Sequence, residues 1–556
     1  MEVPMSSKVI ASATSGSAQY KKLSHREHIL ELPDTYVGSV ETHDEWRWVL
    51  DSDSGKMAHR KLPFNPGFYK LFDELVVNAR DARIRSLQGG VTAIKAIDVS
   101  VEKVGEQLVI KVSNDGDGIP IEEHAEHRVW VPELIFGHLL TSGNYNKEEE
   151  KIVGGKNGYG AKLTNIFSKE FVLTVVSPKH EKKYVQTWKN NMSLVGKPVI
   201  TTSKLKTGSV SVQYTPDLSR FPGLVQEEMI AVLRTRAWEL AALCGKEVKV
   251  SWNGAVVGAN TFEKFVKLFL SADNGGVVYE LCGARWEVAA VLTRSLHEDG
   301  SASAEESSRA ISFVNGINTR KGGKHVDAVV RHVLGDFCEA AAKKKVPVKP
   351  GQIRDSVVFF VNSTIVNPSF DSQTKETLTT PANKFGSQFK TDGKLVDGLM
   401  KIGLMEEAQA ALEAKSAKDA KKTDGTKRKT LRGYPKLEDA LWAGAARSAE
   451  CTLILTEGDS AATSAISGLN IVGRERFGVF PLKGKMLNVK DISQEKFNKN
   501  EELTAIKAIL GLRQGQKYKD KSSLRYGRVM VMADQDHDGS HIKGLLMNLF
   551  HTEWPE

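Results

Sequence analysis

Apolar residues recur along this chain with two periods, and the switches between them mark its elements. Phe68, Leu71, Phe72, Leu75, Val76 and Ala79 fall three or four apart, which predicts an amphipathic helix over "FNPGFYKLFDELVVNARDARIRS". Glu74, Asn78 and Asp81 follow the same spacing and so share one face of it. Ahead of it, "REHILELPDTYVGS" predicts a short helix stopped by Pro33 and then a turn. Behind it, "AIDVSVEKVGEQLVIKVSNDGDGIP" alternates every second residue, as a β-hairpin does, and ends in a polar Gly-rich loop. "IVGGKNGYGAKLTNIFS" is a second Gly-rich segment running into a helix. Strand and turn patterns continue to about residue 250, and a helix-rich stretch follows. "ISFVNGINTRKGGKHVDAVVRHVL" then predicts strand, Gly turn and helix, and "SVVFFVNSTIVNPSFDSQTKETL" a strand and a polar loop. Residues from about 410 to 430, rich in Ala, Lys, Asp and Thr, suit a linker or an exposed helix. Two further apolar runs, in "CTLILTEGDSA" and "VMVMADQDHDGSHIKG", predict buried strands tipped by acids. No internal repeat stands out.

Composition narrows the class. A chain of 556 residues holds several cores, roughly three or four domains. No run of eighteen apolar residues is present, so no membrane-spanning helix is expected. The short N-terminus is small and polar, without a secretory apolar region, and residues 1–19 are expected to be a flexible arm. Cys244, Cys282, Cys338 and Cys451 are scattered, with neither zinc-ligand nor disulfide-framework spacing, which suits a reducing intracellular compartment. The formal charge of +9 permits a polyanionic partner without requiring one.

Two constellations carry chemistry. Asp534, Asp536 and Asp538 stand two apart behind the second acid-tipped run, and Glu457 ends the first. Acids delivered at the ends of adjacent strands gather oxygen ligands for a hard cation, and Mg²⁺ suits such a set. A calcium loop would need a closing Glu at its twelfth position, which is missing, and a plain acidic loop is the remaining alternative. The other constellation orders Glu74 and Asn78 on a helix, then "NDGDGIP", then "GGKNGYGAK". Glu74 can deprotonate an attacking water, and Asn78 can offer a neutral oxygen to Mg²⁺ on a triphosphate. Asn114 can recognise an adenine edge, while Gly116 and Gly118 allow close backbone approach. Gly155, Asn157, Gly158, Tyr159 and Gly160 precede a helix whose N–H groups can hold phosphate oxygens, with Lys156 and Lys162 adding positive charge. Neither a Walker A loop nor a dinucleotide fingerprint is present. Taken singly, a helical Glu is a solvated face and a Gly-rich loop only a turn; the ordered combination points to ATP.

These segments resemble known families. The two acid-tipped runs are similar to a TOPRIM metal site, and "LFDELVVNARDA", "NDGDGIP" and "GGKNGYGAK" resemble the nucleotide motifs of GHKL ATPases. With "EHILELPDTYVGSVE", "PELIFGHLLTSGNYN", "FVNGINTRKGGKHV", "NPSFDSQTKE" and "PLKGKMLNV", nearly the whole chain from about Tyr20 resembles eukaryotic-type, type IIA DNA topoisomerase II. The resemblance implies an α/β (α+β) fold in parts: a GHKL ATPase sandwich over 20–250, an S5-like transducer over 251–405, a linker over 406–430 and an incomplete Rossmann-like TOPRIM domain over 431–556. It implies Glu74 as general base, Asn78 as Mg²⁺ ligand, Asn114 at adenine, and Ser142 with Asn144 at ribose or phosphate. Asp81 joins the nucleotide site, and Lys156, Asn157, Gly158, Tyr159, Gly160, Ala161 and Lys162 form the phosphate loop. Gln373 and Lys375 resemble the transducer pair, Lys375 reaching the γ-phosphate; an ordinary surface lysine is the alternative. Tyr20 would reach the partner's nucleotide in a homodimer closed by ATP.

On the DNA side the resemblance implies Glu457, Asp534, Asp536 and Asp538 around Mg²⁺ at the scissile phosphate, and Lys483 and Lys485 on the backbone. Lys343, Lys344 and Lys345 resemble a DNA-sensing loop or are a solvated charge run, and His541 contacts phosphate or packs on its helix. The family's nucleophilic tyrosine is expected after this sequence, since Tyr526 in "SLRYGRVMV" matches a noncatalytic one. Double-stranded DNA, in two segments, is the expected partner. The nucleus is the expected location, with mitochondrial or viral settings as alternatives. Arg80 and Ala82 depart from the usual smaller and polar residues, and Gly143 replaces a Ser. A noncatalytic ATP-gated DNA clamp or another GHKL protein is the rival function; the acidic pair argues against a chaperone.

Overall fold

A computed structural model describes residues 22–88, 92–141, 150–155, 158–271, 276–296 and 310–556. The chain forms two compact units, residues 1–407 and 408–556. Tyr20, Ser142, Asn144, Lys156 and Asn157 lie outside the described residues, as does the 1–19 arm.

In the first unit the alternating runs pair as their pattern requires. Ala96–Val104 and Gln107–Gly116 form an antiparallel hairpin inside a nine-stranded sheet, with Ile97, Val99, Leu108 and Ile110 turned into the core. Gly208–Pro216, Ser168–Ser177 and Lys182–Lys189 extend the sheet on one side, and Lys249–Trp252 with Ala255–Val256 on the other. The Pro66–Leu87 and Gln226–Cys244 helices join the same core through Phe68, Leu71, Phe72, Leu75, Leu233, Ala237 and Leu240. A second sheet of five strands runs Val278–Leu281, Trp286–Leu292, Val357–Ser363, Ala310–Val314 and Ile317–Asn318. Its core gathers Phe262, Phe265, Phe269, Phe313 and Phe360, whose rings meet mostly edge to face. The mixture of sheets and helices agrees with the expected fold class.

Pro33 does more than stop the first helix. It caps a second short one, Asp34–Val37, because a ring-locked φ and a missing N–H fit a helix start. Within the stretch expected as linker or exposed helix, Leu404–Lys422 is helical. Beyond it the chain is tied into the second unit, since the Gly425 N–H donates to the Leu512 carbonyl at 2.8 Å and Arg525 Nε to the Arg428 carbonyl at 2.8 Å.

The second unit is built on three parallel strands, ordered Phe477–Pro481, Thr452–Thr456 and Arg528–Met532. Thr452–Thr456 is buried throughout, as expected of a central parallel strand. Arg528–Met532 is not: Val529 is 37 %, Met530 49 % and Met532 41 % exposed. The expectation of a buried second strand is therefore corrected. It is an edge strand among the described residues, so only one side of its ladder is paired and much of its apolar surface is uncovered.

Gly118, in the "NDGDGIP" turn, has φ +75°, and a Cβ there would collide with the Val176 carbonyl oxygen. Gly118→Ala is expected to lower the stability of the first unit by about 1–3 kcal/mol, read as an earlier denaturant midpoint.

Candidate functional site

The Pro66–Leu87 helix positions the first site. It starts where the Phe68 N–H donates to Asn65 Oδ1 at 3.0 Å and Pro66 fills the first turn. Its buried stripe is wide, so several charged residues go under with the apolar ones: Lys70, Asp73, Glu74, Arg80 and Asp81. Glu74 is 5 % exposed and carries two ammonium partners, Lys70 Nζ at 2.8 Å and Lys375 Nζ at 3.6 Å. Burial by itself would raise the Glu74 carboxyl, but Lys375 and Lys70 outweigh it and hold it down at about 2. Glu74 is thus a fixed, ionised carboxylate. Lys375 is buried as well, at φ +62°, and its ammonium also reaches the Gly154 carbonyl at 3.4 Å. It is no ordinary surface lysine. Burial lowers its pKa, opposed by Glu74. Gln373, two residues earlier, lines a neighbouring groove with Asp34, Gly38, Arg320 and Glu376.

The Gly-rich segment packs directly on this carboxylate. A Cβ at Gly160 would collide with Glu74 Oε2, so only glycine lets the start of the Gly160–Ile166 helix come so close. Gly158 has φ +70°, Ala161 is buried, and Tyr159 meets Tyr36 edge to face at 6.0 Å. Asp81 is 1 % exposed, and its two oxygens accept the Gly154 and Gly155 N–H groups at 2.9 and 2.8 Å. Burial raises its pKa, against the pull of Arg80 and these N–H groups. Asp81 therefore shapes the backbone of the loop expected to hold the nucleotide. Lys162 is 3 % exposed and donates to the Thr141 and Gly158 carbonyls at 2.5 and 2.6 Å, with burial lowering its pKa to about 8. Its charge clamps the edges of two loops. Asn78 is half-buried on the open side of the helix. Asn114 lies at the end of a strand, earlier than the expected loop, and its amide donates to the Asp115 carbonyl at 2.7 Å.

Arg80, the departure on this helix, is 5 % exposed and stands 3.7 Å from Asp81. Its Nε and Nη1 have no hydrogen-bond partner among the described residues, and a Cβ at Gly316 would run into its side chain. The patterning did not single out Lys70, Asp73, Arg236 or Glu239. Only the Lys70–Glu74 spacing of four was available as a signal.

In the second unit the acids stand at the ends of adjacent parallel strands, but they do not converge. Among the described residues no three acidic, His or Cys side chains are close enough to hold a metal by themselves. The reason is local. The second strand ends at Met532, and a helix begins at His537, so the triplet is spread over a loop and a first turn. Asp536 caps that helix, accepting the Gly539 N–H at 2.7 Å; Asp538 pairs with Lys485 Nζ at 2.9 Å; Glu457 accepts the Asp534 N–H at 3.1 Å. Lys485, through a hydrogen bond and its charge, lowers the Asp538 pKa. The donors still fit a hard cation, because Mg²⁺ commonly takes one or two carboxylates and completes its shell with phosphate and water. Lys483 pairs with Glu501 at 3.2 Å. His541 is exposed, so it is not packed on its helix. Tyr526 is 2 % exposed, its hydroxyl bonded to Asp439 and to the Ala440 N–H, which suits a structural role. Lys343, Lys344 and Lys345 are exposed at the end of the Lys324–Lys343 helix, where positive charge also favours the helix dipole.

Comparison with known proteins matches this layout. Residues 65–204 fit the family of histidine kinase-, DNA gyrase B- and HSP90-like ATPases, residues 301–429 the DNA gyrase B family, and residues 452–555 the Toprim domain. The chain is similar to DNA topoisomerase 2 of Candida glabrata, 41 % identical over 97 % of this chain and 38 % of that protein. DNA topoisomerase 2 of Pisum sativum is 44 % identical over 96 % of this chain and 36 % of its own length. The chain thus spans under two-fifths of these relatives. The crystal structure of the ATPase region of Saccharomyces cerevisiae topoisomerase II superposes with a TM-score of 0.65 and 38 % identity, covering 72 % of this chain and all of that one.

The depressed Glu74 pKa has a stability consequence. A carboxyl lowered from 4.5 to about 2 on folding stabilises the protein above pH 4.5 and loses that contribution as pH falls toward 2. Glu74→Gln is expected to cost about 3 kcal/mol at pH 7, in a denaturant titration, and clearly less at pH 3.

Proposed function

This chain belongs to the DNA topoisomerase II family, and we propose that its first unit is an ATP-hydrolysing gate and its second a Mg²⁺-dependent part of a DNA-cleaving centre. The observation that carries the first half is the buried Lys375–Glu74 pair, which joins a distant loop to the proposed base. In this reading the triphosphate lies along Gly154–Gly160, with Lys156 and Asn157 on its oxygens. Asn114 meets adenine, and Ser142 and Asn144 meet ribose or phosphate. Asn78 in the first unit, and Glu457 with Asp534, Asp536 or Asp538 in the second, would hold Mg²⁺, which would supply positive charge to offset that of the phosphates. Lys375 turns from Glu74 to the γ-phosphate, leaving Glu74 with Lys70 alone and free to orient and deprotonate water. Once the γ-phosphate is cleaved and leaves, Lys375 loses its anion and the loop is released.

At the level of the whole protein, ATP would close the first units of a homodimer, with Tyr20 reaching across to the partner. A duplex is then passed through a transient double-strand break in another. Lys343, Lys344, Lys345, Lys483 and Lys485 supply phosphate contacts, and a nuclear setting accords with this substrate. The ion pairs at Lys485 and Lys483 would open as DNA phosphate takes the place of the acids.

Glu74→Gln is expected to lower ATP turnover by about 100-fold or more while a nonhydrolysable analogue binds within about threefold of normal. Equal losses of turnover and binding would remove the base role. Lys485→Gln, by taking a cation away from Asp538, is expected to tighten Mn²⁺ binding severalfold in a spin-resonance titration. Unchanged or weaker binding would place the ion elsewhere.

A further inference from the structure

Glu74 stands at one end of a longer row of buried charges. Lys70 Nζ also lies 3.4 Å from Asp73 Oδ2, Asp73 Oδ1 accepts Arg236 Nε at 2.8 Å, and Arg236 Nη1 donates to Glu239 Oε2 at 3.2 Å. All of it is inside: Arg236 is 1 %, Lys70 3 %, Asp73 4 % and Glu239 8 % exposed. Sign alternates at every step, from Glu74 through Lys70, Asp73 and Arg236 to Glu239. Two neutral groups close the far end. Arg236 Nη2 donates to the Gly316 carbonyl at 2.6 Å, and Asn318 Nδ2 to Glu239 Oε1 at 2.8 Å.

Gly316 lies in the turn that joins the Ala310–Val314 and Ile317–Asn318 strands of the five-stranded sheet, and Asn318 ends the second of those strands. The loop bearing Lys375 follows another strand of that sheet, Val357–Ser363. The turn also touches the Gly-rich segment, since Asn315 Nδ2 donates to the Val153 carbonyl at 3.3 Å. Two separate connections therefore run from this sheet to Glu74. One is Lys375 itself; the other is the row that ends on Arg236.

In a low-dielectric core, a buried ion shared between two neighbours cannot lose one without shifting toward the other. While the turn is docked, Arg236 divides its fork among Asp73, Glu239 and Gly316, so Asp73 is satisfied and Lys70 stays on Glu74. When the turn withdraws, Glu239 loses the Asn318 amide and can take both arms of the fork, the favoured carboxylate geometry. Asp73, deprived of Arg236, then draws Lys70, and Glu74 loses the ammonium that orients it.

We infer that Arg236 is a positioning residue for the Glu74 reaction, reading the 315–318 turn and passing its position to the base through Asp73 and Lys70. This rests on the proposed role of Glu74 as base. Arg236 touches no reacting atom in this scheme. Its effect is to make water activation conditional on the five-stranded sheet being docked.

The test is a double-mutant cycle on the full 556-residue chain, with Arg236→Met, Lys70→Met and the pair, reading kcat for ATP and the affinity for a nonhydrolysable analogue. Arg236→Met is expected to lower kcat about tenfold or more with analogue affinity within about threefold, a split that general loosening would not give. In the Lys70→Met background, where the row is already cut, the same change is expected to alter kcat by less than about threefold. Should Arg236→Met fail to fold, Arg236→Lys replaces it in the cycle; it keeps the charge but cannot serve Asp73, Glu239 and Gly316 together. Equal losses in both backgrounds, or kcat and affinity falling together, overturn the inference. Glu74→Gln is measured alongside. If it retains turnover, the base role and the inference both fall; if it is inactive while the Arg236 and Lys70 effects are additive, the inference alone falls.

Discussion

A carboxylate sealed from water between two ammonium groups is the constraint around which the first unit is organised. Glu74 can remain ionised at this depth only while Lys70 and Lys375 stay near it, and Lys375 comes from more than 300 positions further along the chain. An unpaired buried charge costs several kcal/mol, so the helix, the Gly-rich segment and the far loop are held to one another by electrostatics as well as packing. Gly160 follows from the same constraint, because no other residue leaves space for the acid. So does the left-handed backbone at Lys375, which is what a short loop needs to send its side chain inward.

What patterning could reveal was the face, not the depth. The three-and-four spacing placed Glu74, Asn78 and Asp81 together, but periodicity assigns charged residues to solvent. The structure instead buries Lys70, Asp73, Glu74, Arg80 and Asp81 on a single helix. Arg236 and Glu239 were invisible for another reason: their partners are supplied by segments remote in sequence, and one chain read alone carries no record of contact. The resemblance implies Asp81 and Lys162 at the nucleotide site. Their hydrogen bonds to the loop backbone could not be read from the motifs, because the partners are set by how the loops fold over the helix.

The acidic triplet does not keep the strand spacing that its sequence suggests. Alternation by two puts side chains on one face only while the chain remains a strand, and here it leaves the strand at Met532 and turns helical by His537. Asp536 becomes a cap and Asp538 faces Lys485. The resulting arrangement is open, with its oxygens available to a cation that brings its own phosphate ligand.

Arg80 and Gly316 are locked into one another's shape. The arginine fills the space above the turn, and the turn has φ +79° and no room for a Cβ. Neither position is free to drift by itself: a lineage that enlarges residue 316 must first shorten residue 80, and one that shortens residue 80 opens a hole between the Pro66–Leu87 helix and its neighbouring sheet. Descendants of this sequence should therefore carry the two residues as an inherited couple, exchanged together or not at all.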